Sequence, residues 1–209
     1  MYAMTDGTAG CPAPLSSPIG TRIHIMGDSG AGKSTLGKRL AAALGVPFVD
    51  MDALNWLPHW TALSAADPEE FERRLREATA GDGWVAAGAY SRFAQRVLWP
   101  RVHTIVWLDL PRHVLVRRVV ARSWRRYRSK ELLWGTNYER FWPQLMFWRR
   151  DSLLWWILTQ YKRKREQLVH MMADPRWSHV RFVRLTSPAE IERWASLIEQ
   201  HLSSPRAMS

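Results

Sequence analysis

The chain has 209 residues, 46% of them hydrophobic, with 30 Lys and Arg against 19 Asp and Glu. That is enough chain for one domain with a sizeable core, and too apolar a chain for intrinsic disorder throughout. The single cysteine, Cys11, excludes an internal disulfide framework and fits a reducing cytoplasm.

Residues 1–20 are rich in Gly, Pro, Ser, Thr and Ala and lack the basic opening and apolar stretch of a signal peptide. They are expected to form a disordered leader, with 21–209 as one domain. Arg22 to Met26 is β-branched and alternating, a short buried strand that Gly27 ends. Lys33 to Leu44 places Leu36, Leu40, Ala43 and Leu44 on one helical face and stops at Gly45. Pro47 to Asp50 is a second strand. Asp67-Pro68-Glu69-Glu70 opens a helix with Pro in its first turn and acids at the positive dipole end. Trp84 to Ala87 and His103 to Leu108 are the third and fourth strands. A long helix starts at Pro111 and runs to about Tyr127, and a second helical stretch runs from about Tyr138 to Met172 with a break at Pro143. The run Leu153 to Leu158 within it is too short to span a bilayer. Val180 to Leu185 is a fifth strand, and Ser187-Pro188 starts a last helix to about Leu202. This alternation predicts an α/β fold: a five-stranded parallel sheet with helices on both faces, three layers in all. Its ligand should lie beyond the carboxyl ends of the strands.

The charge is localised. Arg112 to Val180 holds 16 basic and 5 acidic residues, which accounts for the whole formal charge of +11. Such a patch attracts polyanions: nucleotide phosphates, nucleic acid or an anionic membrane face. Residues 112–175 are expected to form an Arg- and Trp-rich helical insertion on the sheet. Within it Trp134, Trp142, Trp148, Trp155 and Trp156 alternate with Arg140, Arg149 and Arg150. Three readings stay open for this stretch: an enlarged core, a pocket lining, or a surface for single-stranded nucleic acid or membrane.

Gly27-Asp28-Ser29-Gly30-Ala31-Gly32-Lys33-Ser34-Thr35 sits where the strand meets the helix. Its glycines let the backbone curl with N–H groups pointing inward around phosphate oxygens, and the following helix offers its positive end to the same anion. Lys33 can reach the β and γ phosphates, and the Ser34 hydroxyl can bind Mg²⁺. Thr35 either touches the α phosphate or satisfies the helix backbone. These residues make ATP with Mg²⁺ the expected ligand.

With Val49 to Trp56, Trp84 to Ser91, Val106 to Pro111 and the Arg-rich helix, the loop carries a resemblance that covers nearly everything after the leader. The chain resembles the small P-loop proteins described as adenylate-kinase-like or DNA topology modulation (FlaR-like) proteins, relatives of shikimate and nucleoside monophosphate kinases. The resemblance implies a phosphotransferase that moves the γ-phosphoryl of Mg·ATP to a small-molecule or nucleotide acceptor. It also implies roles for the Asp50-x-Asp52 pair, whose side chains share one face if the strand stays extended. Asp50 would hold Mg²⁺ through water, and Asp52 would orient or deprotonate the acceptor; capping of the next turn is the other reading of either residue. Relatives usually carry Asp-Gly-Asn-Tyr-Ser after the third strand, where this chain has Ala87-Gly88-Ala89-Tyr90-Ser91, so an acid and an amide are missing. Asp109 either replaces that acid or caps the Pro111 helix. Gly88 and Tyr90 are candidates for the acceptor pocket. Arg92 is a candidate contact for an anionic acceptor, or a solvated arginine at a helix start.

In related kinases, arginines late in the Pro111 helix form a lid that closes over ATP; the lid candidate here is Arg117 to Lys130, with Arg117, Arg118, Arg122, Arg125, Arg126 and Arg128, and Arg122 and Arg126, four apart on one face, are singled out. Two alternatives to the kinase stand beside it: an ATPase whose basic face binds nucleic acid, and a nucleotide-binding protein with weak turnover.

Overall fold

The computed structural model describes residues 19–138 and 153–203. Five strands form the main sheet: β1 (Arg22–Gly27), β2 (Phe48–Asp50), β3 (Trp84–Ala87), β4 (Thr104–Leu108) and β5 (Arg181–Leu185). Their spatial order is β2-β3-β1-β4-β5 and every pairing is parallel. β1 is therefore central, and both of its neighbours are supplied by later parts of the chain. The five expected strands all form, each within one residue of the expected limits.

Alternation along the strands sorts side chains to two faces. Ile23 and Ile25 of β1, Val85 and Ala87 of β3, and Val106 and Leu108 of β4 point to one core. There they meet α1 (Lys33–Leu44), with Leu36 and Leu40 buried, and the last helix, described below. Met26, Trp84, Ala86 and Ile105 point to the other core. That face is covered by α2 (Met51–Asn55), α3 (Leu63–Ala66), α4 (Pro68–Ala78) and α5 (Ser91–Val97). Phe71 and Leu75 of α4 are fully buried there; truncating either to Ala would cost about 2–5 kcal/mol. The start of α4 is capped by Asp67, which accepts from the Glu70 backbone N–H at 3.0 Å.

α6 (Arg112–Ser129) returns to the first face and buries Leu115 and Val119. It contains no acidic residue. A short antiparallel hairpin, Leu132–Leu133 with Asn137–Tyr138, follows it. α7 (Leu153–Met172) packs along α6, and α8 (Pro188–Ser203) closes the first core with Trp194, Ala195 and Ile198. The expected break at Pro143 and the tryptophans at 142 and 148 lie outside the described residues. Ile19, inside the expected leader, is buried in the first core, and its carbonyl accepts from the Thr104 hydroxyl.

Two local expectations change. The chain does not stay extended through Asp50 and Asp52: it turns into α2 at Met51, because the Asp50 side chain accepts the Asp52 N–H at 3.0 Å and caps that helix. Asp109 does not cap the helix that follows Pro111. Its carboxylate is drawn instead to Arg184 at 2.8 Å and Arg165 at 3.0 Å, and α6 starts without a side-chain cap. Among the described residues, no helix is long and apolar enough to cross a membrane.

Candidate active site

β1 delivers the chain to Gly27, and α1 takes it away at Lys33. Between them the backbone is left-handed at Gly30 and Gly32 (φ 82° and 99°), with Gly27 at φ 145°. Gly27 is also required by space, because a β-carbon there would lie 2.8 Å from the Leu108 carbonyl oxygen. The curl of the loop is thus set against the end of β4. Lys33 Nζ donates to the Asp28 carbonyl at 3.1 Å, holding the side chain back over the loop. Burial lowers the Lys33 pKa; Asp52 and Asp28 oppose this, and Arg122 and Lys164 reinforce it.

Loop residues 28–36 line one cavity of about 1000 Å³. From α6, Arg118, Arg122, Arg125 and Arg126 reach the same space. Arg122 Nη2 donates to the Ser29 hydroxyl at 2.9 Å, and Arg118 Nη1 to the Ala31 carbonyl at 3.3 Å. Arg126 lies 3.7 Å from Glu131 on the turn that ends the helix. Pro188, Ile191 and Glu192, at the start of α8, close the far end.

The opposite side is built by the ends of β2 and β3. Asp50 and Asp52 line the cavity, and so does Tyr90, whose hydroxyl donates to Asp52 Oδ1 at 2.7 Å. Burial foremost, and then the Asp52 carboxylate, raises the Tyr90 pKa, so the phenol stays a donor. Burial and the neighbouring Asp52 raise the Asp50 pKa.

The donor set fits a triphosphate with magnesium. Backbone amides, Lys33 and the four α6 arginines suit the phosphates, and Lys38, Arg39 and Lys164 line the same cavity. Ser34, Asp50 and Asp52 face the same cavity and are the residues that could hold Mg²⁺, which binds through one or two carboxylates, a hydroxyl, waters and phosphate oxygens. Among the described residues there is no cluster of three or more His, Cys, Asp or Glu for a metal, and a magnesium site of this kind needs none.

All nine loop residues except Gly27 are brought into this lining, together with Asp50, Asp52, Tyr90, Arg122 and Arg126. Gly27 and Arg92 line an adjoining cavity of about 820 Å³, between α5, α7 and the ends of β1 and β4. Gly88 lines neither: it is buried, and a β-carbon there would lie 2.6 Å from Met51 Cβ, so its bareness lets α2 close on β3. Ala87 is buried, with no acid in its place, and Asp109 is held by its two arginines.

Sequence reasoning missed Lys164, whose ammonium pairs with Asp28 at 3.0 Å across 136 residues of chain. Arg118 is among the arginines of the lid candidate, but Arg122 and Arg126 are singled out instead. An arginine four residues before Arg122 was the available signal for Arg118; none pointed to Lys164.

A parallel sheet ordered 2-3-1-4-5, with its phosphate loop after the central strand and an arginine-bearing helix over that loop, defines a P-loop phosphotransferase class of protein. The sequence comparisons agree. The shikimate kinase family model matches residues 29–56. The shikimate kinase of Paramagnetospirillum magneticum is 31% identical over 138 residues, covering 58% of this chain and 68% of that protein. The uncharacterized protein YqaC of Bacillus subtilis is 30% identical over 118 residues, covering 56% of this chain and 65% of its own length. A crystal structure of shikimate kinase from Bacteroides thetaiotaomicron aligns with a TM-score of 0.49 and 22% identity, over 87% of this chain and 98% of that one. The chain belongs to the P-loop kinases related to shikimate kinase.

Proposed function

We propose that this protein transfers the γ-phosphoryl group of Mg·ATP to a hydroxyl of a small acceptor held beside Asp52. One observation carries the reading: a single cavity joins the phosphate loop, the arginines of α6 and a carboxylate already hydrogen-bonded by a half-buried phenol. Loop amides and Lys33 would bind the β and γ phosphates. Magnesium, held by Ser34 and Asp50, would neutralise phosphate charge. The Asp52 carboxylate would take the acceptor's hydroxyl proton as its oxygen bonds to γ-phosphorus and the bond to the ADP oxygen breaks. Tyr90 orients Asp52 for that transfer. Arg122 and Arg126 would neutralise charge spread over the moving phosphoryl group, in a reaction that depends mainly on positioning and electrostatics. The test is acceptor-dependent ADP release from Mg·ATP across sugars, nucleotides and small hydroxy compounds, with Lys33→Ala as control. No acceptor dependence above that control removes the reading.

A second reading, an ATPase with a basic nucleic-acid-binding face, is favoured by the outer side of α6, where Trp124 and Tyr127 are 45% and 46% exposed beside Arg128. It requires binding to single-stranded nucleic acid that weakens steeply with salt. A third, nucleotide binding with weak turnover, is favoured by Ala87 standing where relatives carry an acid. It requires ATP turnover equal to that of Lys33→Ala.

A further inference from the structure

Three tryptophans do not behave as core residues. Trp56, Trp60 and Trp134 belong to neither buried cluster; all three are half-buried and line the cavity that holds Asp52 and Tyr90. They form a chain of edge-to-face contacts, Trp56 to Trp60 at 5.5 Å and Trp60 to Trp134 at 5.9 Å between ring centroids. They come from two separate hairpins, Trp56–Ala62 and Leu132–Tyr138, so the wall is assembled across more than 70 residues of chain.

Its central residue is held against its backbone preference. Trp60 has φ 61° and Trp134 φ 49°, a region a bulky side chain rarely adopts and which costs roughly 1–2 kcal/mol per residue. Two bonds fix Trp60: its backbone N–H donates to Asn137 Oδ1 at 2.9 Å, and its indole N–H to the Tyr138 carbonyl at 3.2 Å. Asn137 is only 3% exposed, and its amide also donates to the Leu57 carbonyl at 3.0 Å. Strain maintained by a buried amide, at a cavity wall rather than in a core, points to a binding role for the indole.

The charge beside the wall narrows the ligand. From Pro47 to Glu72 the chain has no Lys or Arg, and of its acids Asp50 and Asp52 line this cavity. An acceptor bringing a carboxylate or phosphate against the wall itself would meet Asp50, Asp52 and indoles, whereas Lys33, Arg118, Arg122 and Lys164 of the same cavity are bonded to the phosphate loop. Indole surfaces instead suit the C–H face of a ring, and Asp52 and Tyr90 suit its hydroxyls. We infer that Trp56, Trp60 and Trp134 are the acceptor-specificity wall and that the acceptor is an uncharged ring polyol, a sugar or cyclitol without an acidic group. This rests on the phosphotransferase reading above and narrows its acceptor.

The test uses the full chain. Calorimetry first measures a non-hydrolysable ATP analogue with magnesium, then neutral ring polyols (glucose, ribose, myo-inositol and their isomers) added to that complex. Shikimate, gluconate, AMP and CMP serve as acidic comparators, and ADP release is followed for each with ATP. The expected result is binding and transfer confined to the neutral rings. Trp60→Ala should raise the acceptor KM about tenfold or more while changing kcat and the ATP KM by less than about threefold, as loss of uniform binding requires. Trp60→Phe, which keeps an aromatic face, should recover most of that loss, and Arg92→Ala in the adjoining cavity should leave the acceptor KM unchanged. Transfer confined to the acidic comparators, no binding of any neutral ring to the nucleotide complex, or an acceptor KM moved by Arg92→Ala and not by Trp60→Ala would each overturn the inference while leaving nucleotide binding intact. Failure to bind the ATP analogue at all would instead remove the kinase reading on which it rests.

Discussion

The Tyr90 hydroxyl points at Asp52 and donates to its Oδ1 at 2.7 Å, although the two residues are 38 apart in sequence. The bond fixes one carboxylate oxygen in the cavity. If Asp52 receives the acceptor proton, Asp52→Asn should lower kcat by about 10²–10⁴-fold, the range for a general base. Tyr90→Phe should lower kcat less, about tenfold, because the base remains and only its orientation is lost. ATP affinity, read by calorimetry, should change little in either variant. Equal losses of nucleotide binding would show that these residues serve the loop and not the acceptor.

Arg122 reaches the Ser29 hydroxyl and lines the phosphate cavity, whereas Arg117, on the same helix, is exposed and lines neither cavity. Arg122→Ala should reduce kcat about 10²-fold or more, as removal of one charge-stabilising donor does elsewhere. Arg117→Ala should stay within about twofold of the parent. Steady-state ADP release at saturating ATP separates them.

His24 sits in the middle of β1, fully buried, with its Nδ1 accepting from the Trp99 indole N–H at 3.1 Å. Burial, above all, pushes its pKa down to about 4. A base whose folded pKa lies below its unfolded value is held neutral, so the unfolded chain binds the extra proton. Stability should be level above about pH 7, fall as pH drops through 6.5, and stop falling from this source near pH 4; the total is on the order of 3 kcal/mol. His24→Asn keeps an acceptor for Trp99 and removes the titration. Urea unfolding at pH 7.5 and 5 should show a smaller stability difference for the variant than for the parent.

Asp109 is 7% exposed and holds Arg165 and Arg184, both of which remain partly in water. It ties α7 to β5 and is not among the residues lining the phosphate cavity. Asp109→Asn should lower stability by about 1–2 kcal/mol, below the 3–5 kcal/mol of a fully buried pair because the guanidinium groups are solvated. The melting temperature should fall by several degrees while kcat holds.

The sheet and the phosphate loop were legible because local rules decide them. β-branched alternation marks Arg22 to Met26, glycines mark the turn, and Gly45 ends α1 with φ 66°. The acceptor side was less legible. Asp50 and Asp52 were found as a pair, but the helical turn that reorients them depends on one side-chain cap. Tyr90 was found through resemblance; its bond to Asp52 is a tertiary contact. Lys164 could not be found at all, since pairing across 136 residues leaves no periodic trace. Asp109 was misread because a carboxylate just before a proline-led helix is a plausible cap, and only the fold shows the two arginines that outcompete it.

The close approach of Gly27 to the Leu108 carbonyl has a consequence for biogenesis. The phosphate loop is synthesised early, yet the strand that its first glycine rests against is completed 81 residues later, and β3 must also be in place on the other flank. A ribosome-bound chain that ends before β4 therefore possesses the whole loop signature without the strand against which its first glycine rests. The cradle proposed for the nucleotide is complete only once the central strand has both neighbours, and the second of them is among the later parts of the chain.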